Sequence, residues 1–194
     1  MDFRQGSARP TAPAPLTQEE AAALRQRLVQ LDGETRLLFE RLAQAEDGVT
    51  LPGVHLELET GGLRALVPVG RVAELVHLIA LTPVPDAAPG VLGAFVARGE
   101  PHVAIDLAAL LGVEHRPALD AILVLLQGSA RAALVVDRAH ALAEEPILSR
   151  RSLDDEEGLR WSHSGLVAAW CVVGGRLLPL LDVDRIVLRL EVTP

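Results

Sequence analysis

The chain has 194 residues, a mass of 20.7 kDa and a formal net charge of −8, with 49% of its residues hydrophobic and 3% aromatic. That length holds one domain or two small ones sharing a core, and the acidic balance and scarcity of rings argue against a nucleic-acid binder. Its apolar runs are too short to span a membrane, and a single cysteine, Cys171, excludes an internal disulfide and a thiolate zinc site.

Residues 1–15, MDFRQGSARPTAPAP, have no periodicity and read as a flexible leader. The N-terminus shows no apolar signal-peptide region, so a cytoplasmic protein is expected. Thr17-x-x-Glu20 forms a capping box. Ala21, Leu24, Leu28, Leu31, Thr35, Leu38, Leu42 and Ala45 follow at alternating spacings of three and four, an a/d heptad seam. This predicts one amphipathic helix over 16–47, or two helices meeting at Asp32-Gly33. So apolar a seam must be buried, against the chain's own β domain, a second copy, or a partner helix. The leucines Leu24, Leu28, Leu31, Leu38 and Leu42 are therefore candidates for a helix-mediated interaction.

From Val54 the period becomes strand-like. Val54–Thr60 alternates, Gly61-Gly62 turns, and Leu63–Val69 answers as a second strand. VGRVAELVHLI fits a short helix or a strand extension, whereas the prolines of Thr82–Pro89 forbid regular structure. Val91–Leu107 predicts a hairpin turning at Arg98-Gly99-Glu100-Pro101, followed by a helical turn over Leu107–Gly112. A second strand-rich half runs from Ala121 to Val192, and its acidic run Asp154–Glu157 reads as a solvated loop.

The second half repeats the first. Leu66–Val72 matches Ala133–Ala139 at an offset of 67, and Gly90–Val96 matches Gly165–Cys171 at 75. On this alignment eight residues are added in the loop with the acidic run, Gly99 answers Gly174, and Arg98 answers Val173. Each copy suits a small antiparallel barrel that is marginal by itself, so the two are expected to pack together.

Catalytic signatures are missing. The six histidines show no metal-ligand spacing, and no serine sits in a nucleophile elbow. Neither a phosphate loop nor a dinucleotide fingerprint is present. Asp106 and Asp182 end matching strands and are read as helix or turn caps, and Cys171 as core. Arg98 stands apart, because a planar guanidinium on a rigid turn can bind a carboxylate or backbone carbonyls.

Over residues 54–190 the ordered segments VPVGRVAELV, TPVPDAAPGVLG, ARGEPHVAIDLAALLG, ALVVDRA and RLLPLLDVDRIV resemble the CheW family of chemotaxis coupling proteins. The resemblance implies a mainly β fold of two packed five-stranded Src-homology-3-like barrels, about 54–112 and 119–192, with possible strand exchange between them. To this the chain adds an N-terminal helix. It also implies a non-enzymatic adaptor, with no cofactor and no metal. Such an adaptor joins a methyl-accepting chemoreceptor's cytoplasmic tip to a CheA-type histidine kinase and meets the membrane only through those partners. The family's partner-binding residues fall on Val72, Gly93, Arg98 and Gly99. The sequence departs from the family at Val96-Ala97, where the pattern has Asn-Leu, and at Ala133, where it has glycine. The alternatives are the same scaffold in a surface-motility or biofilm pathway, or an unrelated small-ligand-binding barrel.

Overall fold

The structure, a computed structural model, describes residues 48–127 and 131–191, with 190 and 191 by backbone alone, and residues 17–20, 22–24, 26–27, 30, 34, 38 and 41. The leader, the Asp32-Gly33 site, and Leu28, Leu31, Thr35 and Leu42 lie outside the described residues. The chain divides into two units, 1–38 and 39–194. In the first unit every described residue after Thr17 is helical. The capping box is formed, with Glu20 N–H donating to Thr17 Oγ1 (3.2 Å) and Thr17 N–H donating to Glu20 Oε2 (2.9 Å). The Thr17 N–H and hydroxyl, both donating to Glu20 Oε2, hold the Glu20 carboxyl below the usual glutamate range.

The second unit is built from two sheets. Its strands are β1 (Val54–Thr60), β2 (Leu63–Pro68), β3 (Val72–His77), β4 (Val91–Ala97), β5 (Glu100–Asp106), β6 (Ile122–Leu126), β7 (Ala132–Val136), β8 (Arg138–Glu144), β9 (Ile147–Ser149), β10 (Val167–Val173) and β11 (Arg176–Leu181). The helices are α1 (Leu107–Leu110), α2 (Glu156–Ser164) and α3 (Val183–Glu191), and a 3₁₀ turn at Val69–Arg71 leads into β3. One sheet has the order β8-β1-β2-β11-β10-β9, the other β3-β6-β7-β5-β4.

These orders are related by the internal repeat. Exchanging β1, β2, β3, β4 and β5 for β6, β7, β8, β10 and β11 converts five strands of the first sheet into the whole of the second. Both sheets contain one parallel pair at the same place, Leu180 beside Leu66 and Ala104 beside Ala133. Each sheet takes its first hairpin from one copy and its remaining long strands from the other. Neither copy can complete a sheet without the second.

The register corrects the sequence alignment. Thr82 bridges Ala94 where Ser149 pairs with Trp170. The offset is 67 between Thr82 and Ser149 but 76 between Ala94 and Trp170, so nine residues are added between them, not eight. The addition contains α2, nine residues long, and the acidic run is not simply a solvated loop. Asp155 N-caps this helix by accepting from Gly158 N–H at 2.9 Å, Gly165 closes it in the left-handed conformation, and Trp161 is fully buried. The segment RLLPLLDVDRIV, expected within a strand-rich half, is strand β11 followed by helix α3. The break falls at Asp182, which accepts from Arg185 N–H at 3.1 Å. Asp106 likewise caps α1 by accepting from Ala108 and Ala109 N–H at 2.9 and 3.3 Å, so both aspartates are caps.

Three apolar clusters hold the sheets. Leu58, Val67, Ile105, Val124, Leu134 and Ile186, with others, form a core drawn from both sheets and α3. Leu51, Leu66, Leu148, Cys171 and Leu178 fill the interior of the six-stranded sheet, and Phe95, Ala104, Leu123, Ala133 and Val135 that of the other. Leu66 and Ala133 are equivalent residues in the two interiors, both inaccessible to solvent. The sheets curl as Src-homology-3-like subdomains, but one has six strands, and among the described residues no backbone ladder closes either into a barrel.

Candidate functional site

The site begins with the two-residue turn joining β4 to β5. Ala97 pairs with Glu100, leaving Arg98 and Gly99 as the loop at φ 53° and 80°. The β10–β11 turn is built the same way, with Val173 paired to Arg176 and Gly174-Gly175 at φ 56° and 77°. Arg98 therefore answers Gly174 and not Val173, because the offset here is 76. Tight hairpins of this hand need positive φ at both loop residues and favour glycine, asparagine or aspartate. An arginine at the first position is disfavoured by steric contact of its Cβ.

Its side chain is 74% exposed, and Nη2 reaches Glu74 Oε2 at 2.9 Å. Glu74 lies on β3, the opposite edge of the same sheet. Between the two edges opens a groove of about 630 Å³, floored by Leu125 and Leu126 and rimmed by Glu74, Arg98, Glu100 and Arg131. Arg131 pairs with Glu100 at 2.9 Å. The charges on the rim thus neutralise one another and do not converge on an empty centre, unlike a small-molecule site. Among the described residues no three His, Cys, Asp or Glu side chains are grouped to hold a metal.

The four candidate residues separate into two kinds. Arg98 and Gly99 are exposed on the turn, and Val72 is half-buried at the start of β3, directly before the groove residues Ala73 and Glu74. Gly93 is buried on β4 at φ 154°, and a Cβ there would stand 2.7 Å from the Thr82 carbonyl oxygen. It lets the proline-rich segment cross β4 and exchange the paired bonds Thr82 N–H to Ala94 O and Ala94 N–H to Thr82 O, both 2.8 Å. Of the departures from the family pattern, Ala133 is sealed in the core, whereas Val96 is 66% exposed beside the turn and Ala97 lines the groove. In the heptad segment, the described leucines Leu24 and Leu38 are exposed.

The sequence reading missed Glu74, although it closes the Val72-x-Glu74 pair within VPVGRVAELV. It also missed the polar cluster on β1. Glu57 is buried and accepts from Arg64 Nη1 at 2.8 Å and from Arg176 Nη2 at 2.9 Å, and Glu59 takes Arg64 Nε and His140. Strict alternation gave no sign that this polar edge would be covered. His55, also on β1, is buried, and desolvation pushes its imidazole below the usual 6.5 despite a bond to the Gly53 backbone. The thiol of buried Cys171 is pushed up to about 12 by desolvation, which keeps it protonated and unreactive.

A duplicated pair of Src-homology-3-like sheets, with an exposed arginine turn over a self-neutralised groove, defines a scaffold protein. The CheW-like domain model matches residues 55–191, and the chain belongs to that family, whose members are non-catalytic scaffold adaptors. The scaffolding protein TtCheW from Thermoanaerobacter tengcongensis has a similar fold, with a TM-score of 0.56 and 16% identity over 68% of this chain and 90% of that one. No curated protein matches the chain. Among the described residues no helix is long and apolar enough to cross a membrane.

Proposed function

We propose that this protein is a cytoplasmic coupling adaptor that joins a methyl-accepting chemoreceptor to a CheA-type histidine kinase. Membership of the CheW-like family supports an adaptor in chemotaxis. The observation that carries the reading further is Arg98, which occupies a left-handed turn position that the other copy fills with Gly174. Folding alone favours glycine there, so an arginine at this position points to a contact made by its guanidinium. In this reading Arg98 and Gly99 form the contact, with Val72 and Glu74 on the facing strand, and Gly93 keeps the proline-rich segment seated on β4.

Reconstitution tests it: purified receptor tip, kinase and adaptor are mixed, and complex formation and kinase autophosphorylation are measured. The adaptor is expected to bring the other two together, and Arg98→Gly to weaken that assembly at least tenfold. Failure of the wild-type chain to bind either partner overturns the reading. In a second reading Val96, an apolar residue exposed beside Arg98 where the family pattern has asparagine, favours a receptor outside the usual chemotaxis class, such as one of a motility or biofilm pathway. A receptor from such a pathway would then bind more tightly than a chemotaxis receptor, and Val96→Asn would narrow the difference.

A further inference from the structure

The segment that joins the two copies is held in place by one imidazole. We propose that the bond between His115 and Asp137 is a pH-operated latch: a protonated His115 fastens this connecting strap across the junction of the two sheets, and loss of that proton loosens it. The strap, residues 112–121, leads from α1 to β6. Asp106 pairs with Val135 and Ile122 with Val136, so the strap starts and finishes at the same end of the five-stranded sheet, with β7 in between. Two strand spacings span about 10 Å, whereas the strap's ten residues, fully extended, would reach about 33 Å. The strap therefore has slack, and its contacts decide its path. Val113 N–H donates to Ala108 O at 3.0 Å at one end, and Ala121 N–H to Ala118 O at 3.1 Å at the other. Between them, His115 Nε2–H donates to Asp137 Oδ1 at 2.6 Å.

Asp137 stands where the chain passes from β7 in the five-stranded sheet to β8 in the six-stranded one. Its Oδ2 accepts from Gly61 N–H at 2.7 Å, in the turn between β1 and β2, and its own N–H donates to Glu59 O at 2.8 Å. One carboxylate thus ties both sheets to the strap. The packing is close, since a Cβ on Gly61 would stand 2.9 Å from Val113 Cγ1. Charge makes the latch sensitive. A second carboxylate, buried Asp106, lies within electrostatic reach of both partners. Burial raises its carboxyl, the Ala109 and Ala108 N–H groups and His115 oppose that rise, and Asp137 adds to it. Among the other elements packed here, β1 brings Glu59, paired with Arg64 and with His140 of β8, and α2 brings Arg160, whose Nη1 donates to Gly112 O at 3.5 Å. Glu114 and Arg116, on the strap itself, are exposed. An imidazolium beside two carboxylates makes a charge-assisted bond, about twice as strong as a neutral one. A neutral imidazole keeps the bond but leaves the two negative charges uncompensated, and imidazoles make this change near neutral pH. The groove beside Arg98 belongs to the five-stranded sheet, so the latch sets how firmly that groove is held to the rest of the domain.

Amide exchange of the full chain tests this, read at Gly61 and Val113 between about pH 6 and about pH 8.5 with the intrinsic exchange rate divided out, while NMR follows the His115 ring. Protection at both amides should fall about three- to tenfold as the pH rises, with the midpoint at which the His115 ring loses its proton. His115→Gln, which still donates but never carries a charge, should hold protection at the high-pH level throughout. His140→Gln removes the other imidazole nearby and should leave the response intact. The wild-type titration decides the matter even where a variant folds poorly. Protection that stays flat or rises with pH, a response that persists in His115→Gln, or one abolished by His140→Gln each overturns the inference.

Discussion

Arg98 and Glu74 tie the two edges of one sheet together, Nη2 to Oε2 at 2.9 Å, across a groove that the backbone leaves open. An ion pair this exposed contributes about 0–1 kcal/mol, and the left-handed backbone of Arg98 costs about 1–2 kcal/mol. The arginine is thus a net burden on folding. Arg98→Gly should raise the unfolding free energy by up to about 2 kcal/mol while weakening assembly with the kinase and receptor. Denaturant melts alongside binding titrations check both halves. A loss of stability in the glycine variant would assign Arg98 to the fold instead.

Gly93 makes the opposite prediction. It is buried, and a Cβ at its position would collide with a main-chain oxygen that cannot move without breaking the Thr82–Ala94 bridge. Gly93→Ala should therefore destabilise by about 2–4 kcal/mol, in the range of substitutions that strain backbone. Any loss of partner binding should follow the loss of folded protein. Binding measured per folded molecule, with the folded fraction taken from circular dichroism, should be near wild type.

How much of this was legible in the residues follows from what periodicity can encode. Alternation and turn chemistry located β1, β2, β4 and β5, because each adjoins a glycine or proline and has apolar residues at every second position. The duplication showed as repeated phrases, but its register slipped by one residue around β10. Two glycines stand at that turn, and the sequence does not say which of them answers Gly99. The slip mattered, since it paired Arg98 with Val173 and hid the fact that the arginine occupies a glycine position. Asp154–Glu157 misled for a different reason. An acidic run looks solvated, yet Asp155 is a cap whose helix is held by Trp161, a long-range burial that no local pattern announces. The groove depends on Glu74 and Arg98 meeting across the sheet, which only topology determines.

His55 supplies a pH dependence. Burial holds its imidazole below 6.5, so as the pH falls the unfolded chain takes up that proton first. The contribution to stability is full above about pH 6.5, declines as the pH falls below it, and levels off once the folded-state pKa is passed. The urea midpoint of wild type should therefore fall between pH 7.5 and 5.5 by more than that of His55→Gln. Equal shifts in the two proteins would mean that the folded state binds this proton as readily as the unfolded chain.

Asp106 carries the reverse sign. Desolvation raises its carboxyl above 3.8, outweighing the bonds from Ala109 and Ala108 N–H. The unfolded chain then releases this proton first as the pH rises, so the contribution is full below about 3.8 and is lost as the pH climbs through the folded-state value. At neutral pH the cap is worth keeping, whereas its charge is a cost. Two substitutions separate these parts. Asp106→Asn retains an oxygen to accept from the first turn of α1 and removes the charge, so it should be at least as stable as wild type at pH 7, with the advantage shrinking toward pH 4. Asp106→Ala removes the acceptor and should lose about 1 kcal/mol, within the usual span for an N-cap. If both variants lose the same amount at pH 7, the ionised carboxylate itself is stabilising the helix start, and the desolvation argument for this residue fails.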